Sequence, residues 1–212
     1  MSKFLNYITE AVITADHQSL KNRILSSLSK VPANSRGALF SILGHEFLKD
    51  KIYFSLLKNS PETIDGYIDK KTLEIFIEIG RSHVLFTPFP ILTDNLVEII
   101  SHEFVHREQL ERSEGKARFE KLEGEVTRAK VKKYSANVQE IMAYAYQTVL
   151  SLRHEGFTDE EIIDMCKNPK KWLDRLENSR THLDIYLVDY FRDDSSVANR
   201  FKKYIVAYLE KK

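Results

Sequence analysis

Strict alternation of apolar and polar positions marks one part of this chain, and helical periodicity marks nearly everything else. Leu73, Ile75, Ile77 and Ile79 alternate with Glu74, Phe76 and Glu78, the period-2 pattern of a half-buried strand that ends at Gly80. Residues 82–87 (SHVLFT) read as a second strand returning after a turn at Gly80 and Arg81. Residues 66–69 read as a partner on the other side, through a turn at Lys70 and Lys71. A small antiparallel sheet is expected.

Upstream, the first 60 residues read as helical. An amphipathic stretch opens the chain, a helix capped by Asp16 runs to about residue 30, and Pro32 breaks it. A third helix, capped by Asn34 or Ser35, carries Leu39, Phe40, Leu43, Phe47, Ile52 and Leu56 to residue 59. Downstream, Pro88 and Pro90 stop the second strand, and Thr93 or Asp94 caps a helix over 95–112. Residues 113–133 hold seven Lys or Arg against four Glu and read as a helix or a mobile lid. Ser135 or Asn137 opens a strong helix to about residue 154, and Asp159 opens a short one. From Trp172 onward helical segments alternate, with a break at 193–196. There Tyr186, Tyr190, Phe191, Phe201, Tyr204 and Tyr208 read as a helical wall of the core, although an interface would use the same residues.

Helices, then a small sheet, then helices make an α+β class dominated by helix. Seven glycines and five prolines in 212 residues provide no flexible linker, so one compact domain over 1–212 is expected, with a helical part (1–60), a core (61–155) and a second helical part (156–212). The single cysteine, Cys166, excludes an internal disulfide and a multi-thiolate zinc site, and suits a reducing compartment. A formal charge of +1 gives no global field for nucleic acid or an anionic membrane. The opening MSKFLNYITEAVITADHQ lacks the apolar core of a signal peptide, and no stretch of about 18 apolar residues follows. A cytoplasmic protein without a membrane partner is therefore expected. In 113–133, Arg118, Arg128, Lys130, Lys132 and Lys133 would favour an acidic substrate segment if the stretch is a lid. Otherwise they belong to a solvated face laced with charge pairs. A net charge of +3 there, with Phe119 and Tyr134 interleaved, is far below that of a nucleic-acid module.

Candidate chemistry sits in the helix after the sheet, where SHEFVHREQ places His102, Glu103 and His106 as H-E-x-x-H. At about 100° per residue, His102 and His106 lie about 40° apart and one turn apart, so two imidazoles can reach one metal, with Glu103 beside them. Leu96, Ile99, Ile100, Phe104 and Leu110 form the apolar stripe, and the histidines stand at its border, where a cleft wall is expected. His45 and Glu46 begin the same string but end at Lys49, which cannot share a cation at neutral pH. A third ligand is needed, and Glu140 in NVQEIMAYA is the first candidate, with small Ala143 and Ala145 nearby for close helix approach. His154, His182, His83 and His17 compete for the role. His154 is 14 residues beyond Glu140, about 21 Å along one helix, so those two exclude each other.

These residues resemble a zincin metallopeptidase of the gluzincin kind, in which H-E-x-x-H is completed by a downstream glutamate. The resemblance covers residues 73–154. It implies a strand before the motif helix whose edge binds substrate, here 82–87, and a second helix bearing E-x-x-A, here Glu140 followed by Ala143. Larger gluzincins often place an acid one turn beyond the third ligand, where this chain has Tyr144. The resemblance implies a Zn2+ ion held by His102, His106 and Glu140, with Glu103 as general base toward a peptide or protein substrate. Tyr134 or Tyr144 would serve as the oxyanion or supporting donor. The opening MSKFLNYITE also resembles short N-termini of tailed-phage proteins, a pointer to origin alone. Two alternatives stand beside hydrolysis: a zincin-like structural or host-interaction protein that keeps its metal without proteolysis, and a metal-free helical scaffold whose motif is coincidence.

Overall fold

The structure, a computed structural model, describes Asn22 and residues 51–57, 64–115, 117, 127–172, 174, 182–189, 191 and 193–210. The expected helices before residue 51, together with His17, His45, Glu46 and Lys49, lie outside the described residues. The described residues divide into two compact units, one up to Gly115 and one from Ala117 onward.

In the first unit three strands, β1 (Ile52–Leu57), β2 (Ile64–Ile68) and β3 (Ile75–Gly80), form a sheet in the order β1-β3-β2. The alternating isoleucines make β3 the central strand, with Ile75, Ile77 and Ile79 fully buried on one face. β2 pairs with β3 antiparallel through the expected turn. There Asp69 Oδ1 accepts the N–H groups of Lys71 and Thr72 at 2.8 and 3.0 Å. Those two bonds, that of Thr72 first, hold the Asp69 carboxyl below its ordinary pKa.

Three expectations are corrected here. The sheet is mixed and not antiparallel, because β1 runs parallel to β3. Residues 52–57 are that strand and not the end of a helix: Ile52 and Phe54 are buried while Ser55 is exposed, a period of two in place of the i,i+4 pairing of Ile52 with Leu56. Residues 82–87 do not return as a strand. With β1 and β2 on its two sides, β3 has no edge left to offer, and the segment folds as α1 (Arg81–Phe86), burying Val84 and closing with the Thr87 N–H donating to the His83 carbonyl at 3.0 Å.

Helix α2 (Phe89–Arg112) also begins earlier than residue 95, with Pro88 at its N-cap and Pro90 in its first turn. Proline is favourable there, since the first helical N–H groups have no internal acceptor. At the other end, Glu114 in the left-handed region (φ 51°) and Gly115 donate back to Glu111 and Leu110 at 3.2 and 2.8 Å, which stops the helix. Leu92, Leu96, Val97, Ile100 and Phe104 of α2 pack on the isoleucine face of the sheet with Ile52, Phe54 and Val84. On the opposite face Phe76 stacks between Tyr53 and Tyr67, with ring centroids 5.3 and 5.2 Å away.

The second unit contains α3 (Arg128–Ser135), α4 (Val138–His154), α5 (Asp159–Lys167) and α6 (Ser195–Leu209), with a 3-10 turn at Pro169–Trp172 and a π turn at Ile185–Asp189. Asn137 caps α4 by accepting the Gln139 N–H at 2.9 Å, as its sequence indicates. The helix ends where Gly156 takes φ 89°, a conformation that favours glycine, and Gly156 and Phe157 donate back to Arg153 and Leu152. Thr158 and Glu161 form a reciprocal capping box on α5. Asp164 accepts from Lys171, Asn168 and Trp172 at 2.7, 2.8 and 2.9 Å, and these bonds hold its carboxyl far below the ordinary range. Tyr186 lies between Phe201 and Phe191, with centroids 4.2 and 5.3 Å away, and donates its hydroxyl to the Ser135 carbonyl at 2.7 Å. The aromatic residues after 185 thus form a core wall, as expected; Tyr190 lies outside the described residues.

Cys166 is 3% exposed on α5, and burial pushes its thiol up to about 12. At pH 8 the thiolate is therefore scarce. Iodoacetamide is expected to leave Cys166 unmodified over an hour in the native protein and to alkylate it fully in 6 M guanidinium (about that concentration unfolds most domains), read by intact mass. Fast native labelling would contradict the packing of α5.

Candidate metal centre

His106 follows His102 by four positions on α2, which puts both rings on one face. The ring centroids are 4.6 Å apart at 83°, and the two Nε2 atoms lie 2.9 Å apart. Both side chains are buried, 7% and 5% exposed. They border the apolar stripe, whose Leu96, Ile100 and Leu110 are fully buried. His106 Nδ1 lies 3.0 Å from Gln109 Oε1. An amide oxygen only accepts, so the tautomer that fits this contact carries the proton on Nδ1 and leaves Nε2 its lone pair, as a metal ligand needs. Gln109 is absent from the H-E-x-x-H string; its signal is the H-x-x-Q spacing one turn further on.

Glu103, between the histidines in sequence, is 6% exposed. The backbone of β2 lies against it: a Cβ on Gly66 would stand 2.9 Å from Glu103 Cγ and 3.1 Å from Ile99 Cγ1. A glycine inside a strand is the available sequence signal for such an approach.

In the second unit Glu140 occupies the first turn of α4, three residues after the Asn137 cap, and is 1% exposed. The partial positive charge of a helix N-terminus suits a carboxylate at that position. Burial, and then the neighbouring Tyr144 and Glu140, raise the Tyr186 phenol well above its ordinary pKa, so Tyr186 stays a neutral donor to Ser135. One ligand atom each from His102, His106 and Glu140 lie within 4.8 Å of one another, a buried His-His-Glu group that could hold a metal ion. Donors on one tetrahedral zinc stand about 3.3 Å apart, given bonds of about 2.0–2.1 Å. Among the described residues it is the one such group.

The competing histidines are engaged otherwise. His83 Nε2 lies 3.2 Å from Asn95 Nδ2, and His154 is exposed at the far end of α4. His182 packs its ring on Tyr144, centroids 4.1 Å apart. Tyr144, half-buried, follows Glu140 by one turn on α4; Tyr134, also half-buried, belongs to α3. Of the candidate lid cations, Arg128 pairs with Asp189 at 2.6 Å and Lys132 lies 5.5 Å from the Phe191 ring centroid. Lys130 and Lys133 are exposed, and Arg118 lies outside the described residues. Among the described residues no helix is long and apolar enough to cross a membrane. No protein-family model matches the chain, and no curated protein or solved structure matches it either.

Proposed function

We propose that this protein is a zinc-dependent peptidase of the zincin type. One observation carries the proposal: two imidazoles and one carboxylate, all buried, have ligand atoms within 4.8 Å of one another, and a second buried acid, Glu103, adjoins the histidines in sequence. Two nitrogens and one oxygen are a donor set of catalytic zinc sites, which leave the remaining position to water. His102, His106 and Glu140 would hold the ion, and zinc bound there would supply the Lewis acidity that acidifies water and polarises a scissile carbonyl. Gln109 fixes the His106 ring and tautomer. Glu103 takes the proton from the attacking water and passes it to the leaving amine. Tyr144, one turn beyond Glu140 and so on the same helix face, is the donor we assign to the oxyanion in preference to Tyr134. β2, the strand against α2, takes the place expected of 82–87 beside the catalytic groups.

The burial of all four side chains supports one alternative, a zincin-like protein that uses the metal for folding or partner binding without cleaving peptides. Zinc binding and hydrolysis separate the two. The purified protein is expected to retain one zinc per chain after dialysis and to hydrolyse a casein-like substrate, with loss of activity in 1,10-phenanthroline. Zinc at about 100 times its Kd is expected to add about 2.7 kcal/mol of stability. His106→Ala is expected to abolish both the bound zinc and the stabilisation. A wild-type protein that neither binds zinc nor gains stability from it would overturn the metal centre. Full zinc loading without hydrolysis would favour the alternative.

A further inference from the structure

Glycine at position 66 is not explained by its backbone. Gly66 pairs with Ile77 inside β2 and is absent from the residues with positive φ, so any amino acid could adopt its conformation. Its neighbours on the same strand face, Ile64 and Ile68, carry large side chains that pack on the sheet core. What forbids a side chain at 66 is α2. A Cβ there would stand 2.9 Å from Glu103 Cγ, 3.1 Å from Ile99 Cγ1 and 3.2 Å from Glu103 Oε1. The first distance is below any ordinary carbon contact of about 3.5–4.0 Å, and Cγ sits too near the helix backbone to swing away without changing the rotamer. Ile99 and Glu103, four residues apart, form one ridge of α2, and the bare strand backbone is seated on it. Asp65 Oδ1 accepts the Gly66 N–H at 2.9 Å, which helps fix that backbone.

We infer that Gly66 is a positioning residue for Glu103: the side-chain-free segment of β2 is one wall of the slot that sets the carboxylate's rotamer beside the histidine pair. This rests on the peptidase reading of Glu103. A wall made of backbone cannot rotate out of the way, so it selects one Glu103 rotamer with no ordering cost of its own. Any residue larger than glycine would push the carboxylate to another rotamer while leaving His102, His106 and Glu140 their donor atoms. The consequence is specific to proton transfer, which tolerates only small displacements of the base.

The test is Gly66→Ala, assayed for zinc content, for kcat and KM separately, and for melting temperature, beside the same substitution in a Glu103→Ala background. The expected result is one zinc per chain, KM within about twofold and kcat lower by about 10- to 100-fold. A residue acting only through stability would leave kcat of the folded, zinc-loaded protein unchanged. Melting is expected to fall by about 4 °C in the Glu103 protein and by less than half of that in Glu103→Ala, where the added methyl meets no Cγ. Should Gly66→Ala alone not fold, recovery of the fold in Gly66→Ala/Glu103→Ala supports the inference, and failure of both overturns it. An active wild type with unchanged kcat in Gly66→Ala overturns the inference alone. A wild type without zinc-dependent hydrolysis overturns the peptidase reading and takes the positioning role with it.

Discussion

Glu103→Gln is expected to keep one zinc per chain and to lose hydrolysis by about 10²- to 10⁴-fold, the range that a positioned general base supplies. The substitution is nearly isosteric, so the slot against Gly66 and Ile99 stays filled. It leaves His102, His106 and Glu140, the three metal donors, as they are. What it removes is the ability to accept a proton. Zinc measured by mass spectrometry of the metal after dialysis, alongside rates on an unfolded protein substrate, checks both halves of the expectation. Unchanged hydrolysis would remove the base role from Glu103. Loss of zinc would mean that the carboxylate belongs to the metal's own ligand set.

The second large effect is on stability. Phe201 is fully buried and stacks at 4.2 Å and 8° on Tyr186, which in turn stacks on Phe191. Phe201→Ala removes one end of that stack and opens a cavity that Tyr186, held by the Ser135 carbonyl and the Phe191 ring, cannot readily collapse into, at an expected cost of about 3–5 kcal/mol. Thermal unfolding of the variant should come at least about 10 °C earlier than that of the wild type. A shift of one or two degrees would mean that the aromatic wall is loosely packed and that α6 contributes little to its unit.

Local signals account for what was legible beforehand. The alternation around Ile75, Ile77 and Ile79 is a property of consecutive residues, and it survives as β3. Of the two caps the sequence offers for α4, Ser135 and Asn137, it is Asn137 that forms, and the signal is local because a cap is a contact between near neighbours. The histidine pair is equally local, four residues on one helix. Where the outcome depended on something distant, the sequence was ambiguous. Ile52 fits both a helix, with Leu56, and a strand, with Phe54, and parallel pairing with β3 more than twenty residues later decides it. Residues 82–87 have strand composition but no strand edge to join. Pro88 and Pro90 read as strand stops, yet proline terminates a strand and begins a helix equally well. Glu140 could be nominated from chemistry, since few other groups complete a two-histidine set. The pressure of Gly66 on Glu103 could not, because it is a contact between two elements whose packing no periodicity encodes.

Trp172 is the sole tryptophan of the chain, held in the second unit by Asp164 and set edge-on to Phe157. Intrinsic emission excited at about 295 nm, where indole alone absorbs, therefore follows the unfolding of that helical unit and is blind to the sheet-bearing one. A fluorescence melt that coincides with loss of far-ultraviolet dichroism would show that both units collapse as a single cooperative body. Two separated transitions would assign the earlier or later one by whether the indole responds.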